Sequence, residues 1–415
     1  MTFYKVLKLV FLSLTITISA FGQEKGMQFD KSSSFKEILN RAAKENKFVF
    51  IDCYTTWCGP CKFMDKEIFP EETVGNFYND HFINVRYQID TTKTDPQEIK
   101  NRYPDASFVR TKYHIRAYPT YLFLNPNGEL VHTALGSTGD EQFIEIGKNA
   151  LNPNFQYYTQ LKKYEAGNRD PQFLKTLALL SLHAMDADVT SAITKSYLQS
   201  VGQLKDPDDY TFINEVTNNM SDTGFIIMLN HPHEFESVID KNSFHEHLVM
   251  MIVYGEIKSN NSFLMWNKQK WDEYSKLLNT KYPQFSDELL YLIQSNVFMM
   301  NSNWDELIRT VDAYRLNHTI PNQQLNNFAW SIFLRSSDNK QLAKALEWSK
   351  SSFTGQDKIE PGFMDTYANI LYKMGDVKQA LVWEKKAQQI AIAQGGSKDW
   401  GQDVIDKMNK KEKTW

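Results

Sequence analysis

A chain of 415 residues is longer than one compact core ordinarily spans, so two or three domains are expected. An apolar share of 42% and a charged share of 23% are those of a folded chain and exclude a wholly disordered one. The net charge of −4 lacks the clustered cationic excess that displaces phosphate counterions, which argues against nucleic acid as a partner.

The chain opens MTFYKVLKLVFLSLTITISAFGQEKG, with Lys5 and Lys8 ahead of an uncharged apolar run over residues 9–18 and then the small-residue stretch SAFG. This order predicts a secretory signal over residues 1–22, cleaved near Gly22 and Gln23. The run is short for a membrane span of about 20 residues, and no later segment is long and apolar enough to serve as one. The mature chain is therefore expected to carry no integral membrane span and to work in a periplasmic or otherwise extracytoplasmic space, where disulfides persist.

Ser34 lies three residues before Glu37, the spacing of a capping box, and predicts a helix over 35–45. The β-forming run FVFIDCY follows at 48–54, and a second helix should open just after Cys58 and end near Pro70. FINVRYQID at 82–90 is the next strand. Residues 91–112 read as a polar connection with a short helix near 97–103. YPTYLFLNPNGELVHTAL then gives two apolar runs joined by the turn NPNG, an antiparallel hairpin. An amphipathic helix over 140–151 completes a domain over residues 27–151, in which a central mixed sheet is covered by helices on both faces.

From residue 155 onward apolar residues recur at helical spacing without cysteine or strand alternation, so 155–415 is expected to be an all-α domain. ALEWSK beginning at Ala345 recurs as ALVWEK beginning at Ala380. The segment YANILYKMGDVKQALVWEKKA sets Ala368, Gly375, Ala380 and Ala387 at small-residue positions and resembles the tetratricopeptide repeat, over about residues 290–395.

Only three cysteines exist, Cys53, Cys58 and Cys61, too few and too close for a stapled scaffold. A cysteine at a helix start faces unpaired amides and the positive end of the helix dipole, so the thiolate of Cys58 is favoured. Cys61 lies one turn further on the same side and can attack a mixed disulfide formed at Cys58. The spacing from Cys53 also fits the start of an iron–sulfur pattern, but a fourth cysteine is lacking. Structural zinc would need a further ligand pair, and Cys53 reads as a small buried hydrophobe. The histidine pairs at 231 and 233 and at 245 and 247 would have to converge to hold a metal, and no metal site is expected.

WCGPC at 57–61 and KYHIRAYPTYLFLNPNGELV from Lys112 resemble the thioredoxin family over residues 27–151, above all the periplasmic thioredoxin-like domains that pass electrons to exported proteins. The resemblance implies that Cys58 is the nucleophile, Cys61 the resolving thiol and Asp52 its proton acceptor. It also implies that Pro119 is cis and leaves the backbone of Tyr118 free for an extended substrate strand, and that Trp57, Gly59, Pro60 and Gly136 share that substrate-binding surface. His114 stands where the family keeps a glycine, at a position that can demand positive φ. Implied partners are exported proteins with disulfides and a membrane-borne electron donor, and no cofactor is needed. The competing expectation is a scaffold in which the helical half binds partners and the thioredoxin-like domain only docks.

Overall fold

In the computed structural model, residues 26–415 are described; the predicted export signal over 1–22 lies outside the described residues. The chain divides into two compact units, one ending at Thr217 and the other running Asn218–Trp415.

The first unit begins with α1, Phe35–Glu45. Its start is fixed by the expected capping box: Ser34 Oγ accepts from the amide of Glu37, and the Glu37 carboxylate accepts from the amide of Ser34 at 2.8 Å. Then come β1 (Phe48–Tyr54), α2 (Gly59–Phe63), α3 (Glu72–His81) and β2 (Phe82–Gln88). They are followed by α4 (Gln97–Asn101), α5 (Tyr103–Lys112), β3 (Thr120–Leu124), β4 (Leu130–Leu135) and α6 (Asp140–Leu151). The sheet runs β2-β1-β3-β4, with β1 parallel to β2 and the other two neighbour pairs antiparallel. It is the expected mixed sheet. The hairpin turn is held by Asn125, whose Oδ1 accepts from the amides of Asn127 and Glu129, both at 3.0 Å, while Gly128 takes φ +77°.

Strand periodicity sorts the two faces. Val49, Ile51 and Cys53 of β1 pack with Ile38 and Ala42 of α1 and Val109 of α5. Phe50 points the other way, to Met64, Tyr78 of α3 and Phe143 of α6. Asp52 shares the parity of Phe50. The sequence left α5 as part of a polar connection, because it buries only Ala106 and Val109 and shows little apolar periodicity. Long-range contacts define it: Asp105 Oδ2 accepts from the amide of Phe35 at 2.8 Å, and Val109 is fully buried.

Four helices continue the first unit beyond the domain predicted from sequence: α7 (Tyr157–Glu165), α8 (Pro171–His183), α9 (Ala187–Val201) and α10 (Pro207–Val216). β4 is an outer strand of the sheet, and α7 packs against it. His132 Nδ1, buried in β4, accepts from the amide of Tyr157 at 3.2 Å. That bond satisfies one of the free amides at the start of α7.

The second unit is helical throughout its described elements. Near its end, helix Asn322–Arg335 pairs with Asn339–Phe353, and Pro361–Lys373 pairs with Val377–Ala393. Ala368, Ala380 and Ala387 are fully buried where these helices meet, as small residues permit close approach. Gly375 instead forms the turn between two of them, with φ +97°. Among the described residues no helix is long and apolar enough to cross a membrane.

Candidate functional site

The site grows out of the β1–α2 junction. Thr56 holds this turn, its amide and hydroxyl both donating to the carboxylate of Asp90, two residues beyond β2. Cys58 has extended backbone, φ −72° and ψ 107°, and caps α2 with its side chain. Pro60, at the second helical position, lacks an amide that would have had no partner there. Cys58 and Cys61 are joined in a disulfide with Cα atoms 5.3 Å apart, and Cys58 Sγ accepts from the amide of Cys61 at 3.0 Å. An amide aimed at that sulfur favours its negative form once the bond is reduced.

Cys58 and Cys61 are both buried. In the disulfide form the two are almost equally sheltered, 3% and 2% exposed. Trp57 beside them is 68% exposed, and its ring meets that of Tyr118 edge-on at 5.8 Å between centroids. The Tyr118–Pro119 bond is cis. Gly136 takes φ +88° and donates its amide to the Pro119 carbonyl at 3.0 Å, with open space where a Cβ would stand. Gly59 and Pro60 are exposed. His114 adopts φ +53°, the backbone for which a glycine would be the usual choice.

Asp52 is 1% exposed. Its Oδ2 accepts from Arg86 Nε at 2.8 Å, while Oδ1 has no hydrogen-bond partner among the described residues. Burial pushes its carboxyl up to about 6, against the opposing pull of the Arg86 guanidinium. Arg86 reaches further, to an ion pair with Asp65 at 2.5 Å, and lies over the Tyr54 ring at 4.4 Å. Asp65 belongs to the π-helical turn Met64–Ile68 that prolongs α2. Asp52, Arg86 and Asp65 therefore tie β1, β2 and the cysteine-bearing helix together.

Sequence reasoning missed Arg86 and Asp65. The signal was there in part: Arg86 is the lone charge in FINVRYQ, as Asp52 is in FVFIDCY, and parallel register sets the two opposite each other. Cys53 points to the opposite face, where burial pushes its thiol well up, so it packs as a small apolar group. Of the histidine pairs, His231 and His233 meet Glu234 and Glu236 within their own helical turn, whereas His245 Nε2 pairs with Glu288 at 2.7 Å.

Residues 35–151 match the family described as a thioredoxin-like domain. A thioredoxin-like protein of Synechocystis is 34% identical over 113 residues, which cover 27% of this chain and 88% of that protein. The chain belongs to the thioredoxin-like family. Thioredoxin-2 of Pyricularia oryzae is also 34% identical, over 106 residues that cover 26% of this chain and 48% of that relative, so the match spans about half of its length. The thiol:disulfide interchange protein DsbD of Vibrio cholerae is 29% identical over 128 residues, 30% of this chain and 20% of that protein. In this chain, the thioredoxin-like fold of residues 35–151 and the Cys58–Cys61 pair make the domain that of a thiol–disulfide oxidoreductase.

Proposed function

We propose that the whole chain is an exported thiol–disulfide oxidoreductase that reduces disulfides in other exported proteins, with electrons supplied by a membrane-borne donor. The observation that carries this reading is the Cys58–Cys61 disulfide at the mouth of α2, with the amide of Cys61 directed at the Cys58 sulfur. In the reduced protein the Cys58 thiolate attacks one sulfur of a substrate disulfide, and the other substrate sulfur leaves as a thiolate. Cys61 then loses its proton, with Asp52 as acceptor, and attacks Cys58. The second substrate thiolate leaves, the Cys58–Cys61 bond re-forms, and two electrons have passed to the substrate.

Trp57, Gly59, Pro60, Tyr118, Pro119 and Gly136 form the substrate surface in this reading, supported by the exposure of Trp57 and the open space at Gly136. Gly59 and Pro60 between the cysteines are those of reducing thioredoxins, which favours the reductase direction. Likeness to an interchange protein supports protein disulfides as substrates. The helices beyond residue 155, tetratricopeptide-like over about 290–395, recruit partners. Insulin reduction with Cys58→Ser tests the nucleophile: activity should vanish, and activity that persists would refute the assignment.

A further inference from the structure

A cavity of about 510 Å3 lies within the first unit, next to the loop that carries Pro119. Its floor includes Leu122 of β3 and Leu135 of β4, and one wall is the segment leading into the cis bond, with Ile115 and Ala117. The other wall comes from the added helices: Tyr158 of α7 and the α8–α9 turn with Met185 at its tip. Ala117 directly precedes Tyr118, and Leu135 directly precedes Gly136. The cavity therefore adjoins the proposed substrate surface, and its lining is mixed, with Ile115, Leu122 and Leu135 interleaved by His114, Arg116 and Thr133.

Met185 carries the inference. It is 67% exposed and takes φ +52°, a left-handed conformation in which glycine is the unstrained residue. The end of α8 forces this backbone, since the amide of Asp186 donates to the Ser181 carbonyl and that of Met185 to the Leu182 carbonyl, each at 2.9 Å. Asp186 pins the turn in place by accepting from the Tyr157 hydroxyl at 2.7 Å. A flexible thioether is held in solvent, in strained backbone, at the rim of this groove, where it adds to the apolar part of the lining made by Ile115, Leu122 and Leu135. Met is also the side chain that adapts best to varied apolar partners.

We propose that this groove seats the substrate polypeptide beside its attacked half-cystine, and that Met185 makes it selective for an aliphatic side chain there. The proposal rests on the oxidoreductase reading and on Tyr118 and Pro119 as substrate contacts. It assigns a specificity role to helices outside residues 35–151, which the family match covers.

The test uses the full chain, reduced and freed of reductant, in a single turnover. The probes are short cysteine peptides held as mixed disulfides with thionitrobenzoate, with leucines or serines flanking the cysteine; the mixed disulfide of free cysteine is the reference. Cys58 attacks the peptide sulfur and thionitrobenzoate, the more acidic thiol, leaves with the electron pair. Cys61 then displaces the peptide thiolate as the Cys58–Cys61 bond re-forms. Wild type should react about tenfold faster with the leucine peptide than with the serine peptide, each scaled to the reference, as expected when an aliphatic side chain meets the apolar part of the lining. Met185→Gly, which suits the backbone, should bring that ratio near one, and so should Ala187→Trp, which fills the groove from the same turn. A ratio near one in wild type, or one preserved in either folded variant, overturns the proposal. Failure of wild type to react even with the reference would instead overturn the oxidoreductase reading beneath it.

Discussion

Asp52 stands between burial, which disfavours its charge, and the Arg86 guanidinium, which favours it. Burial wins, and the carboxyl titrates near 6 rather than at 3.8. The folded protein therefore holds this proton more tightly than the unfolded chain does, so the contribution to stability is full below 3.8 and is lost as pH rises through 6. The shift corresponds to about 3 kcal/mol at neutral pH. Asp52→Asn should thus stabilise the protein at pH 7 by about 1–3 kcal/mol, with Arg86 keeping Asp65 as a partner, and the gain should disappear near pH 4. Calorimetry at the two pH values checks this. The same variant should slow the resolving step and remove an acid limb near pH 6 from the rate profile. Arg86→Gln, by deleting the opposing charge, should move that limb upward.

α7 reaches the sheet through one donor and one acceptor. His132 is buried and its imidazole is pushed down to about 4, with burial as the leading cause, so it is neutral when it accepts from Tyr157. Here the sign is reversed: stability is present above 6.5 and is lost as pH falls through 4. Asp52 and His132 thus oppose each other across the same acid window, and the first unit should show a flatter acid profile than either residue alone would give. His132→Leu leaves the Tyr157 amide buried without its acceptor and should cost about 1–3 kcal/mol, whereas His132→Asn keeps an acceptor and should cost less. Thermal unfolding at pH 7 separates the two variants. The first helix and the hairpin were legible in sequence because their signals are local, a capping box at Ser34 and an Asn-Gly turn signal. α5 was not, because what holds it comes from elements distant along the chain.

The whole chain has two compact units, each with its own core, and calorimetry of the intact protein should resolve more than one transition. A marker for the second unit is Glu384, fully buried between helices, where Gly401 leaves no room for a side-chain carbon beside its Oε1. Burial first, and then the nearby Asp365, push Glu384 up to about 9. Its contribution is present below 4.5 and is lost as pH rises through 9. Glu384→Gln should therefore raise the second transition by an amount that widens from pH 5 to pH 9, and leave the first unmoved. Cys61→Ser should trap partners on Cys58, and a chain ending at Thr217 should trap fewer of them; an identical catch would refute recruitment by the second unit.

Sequence alone determined the mixed sheet, the all-α remainder and the Cys58–Cys61 pair at a helix start, because turns, caps, strand alternation and CxxC spacing are encoded within a few residues of one another. Tertiary structure decided what Asp52 touches, where α7 docks and that Met185 overhangs a groove beside Pro119. Those facts depend on residues tens of positions apart being brought within a few ångströms, and no local pattern records which distant neighbour a side chain will meet.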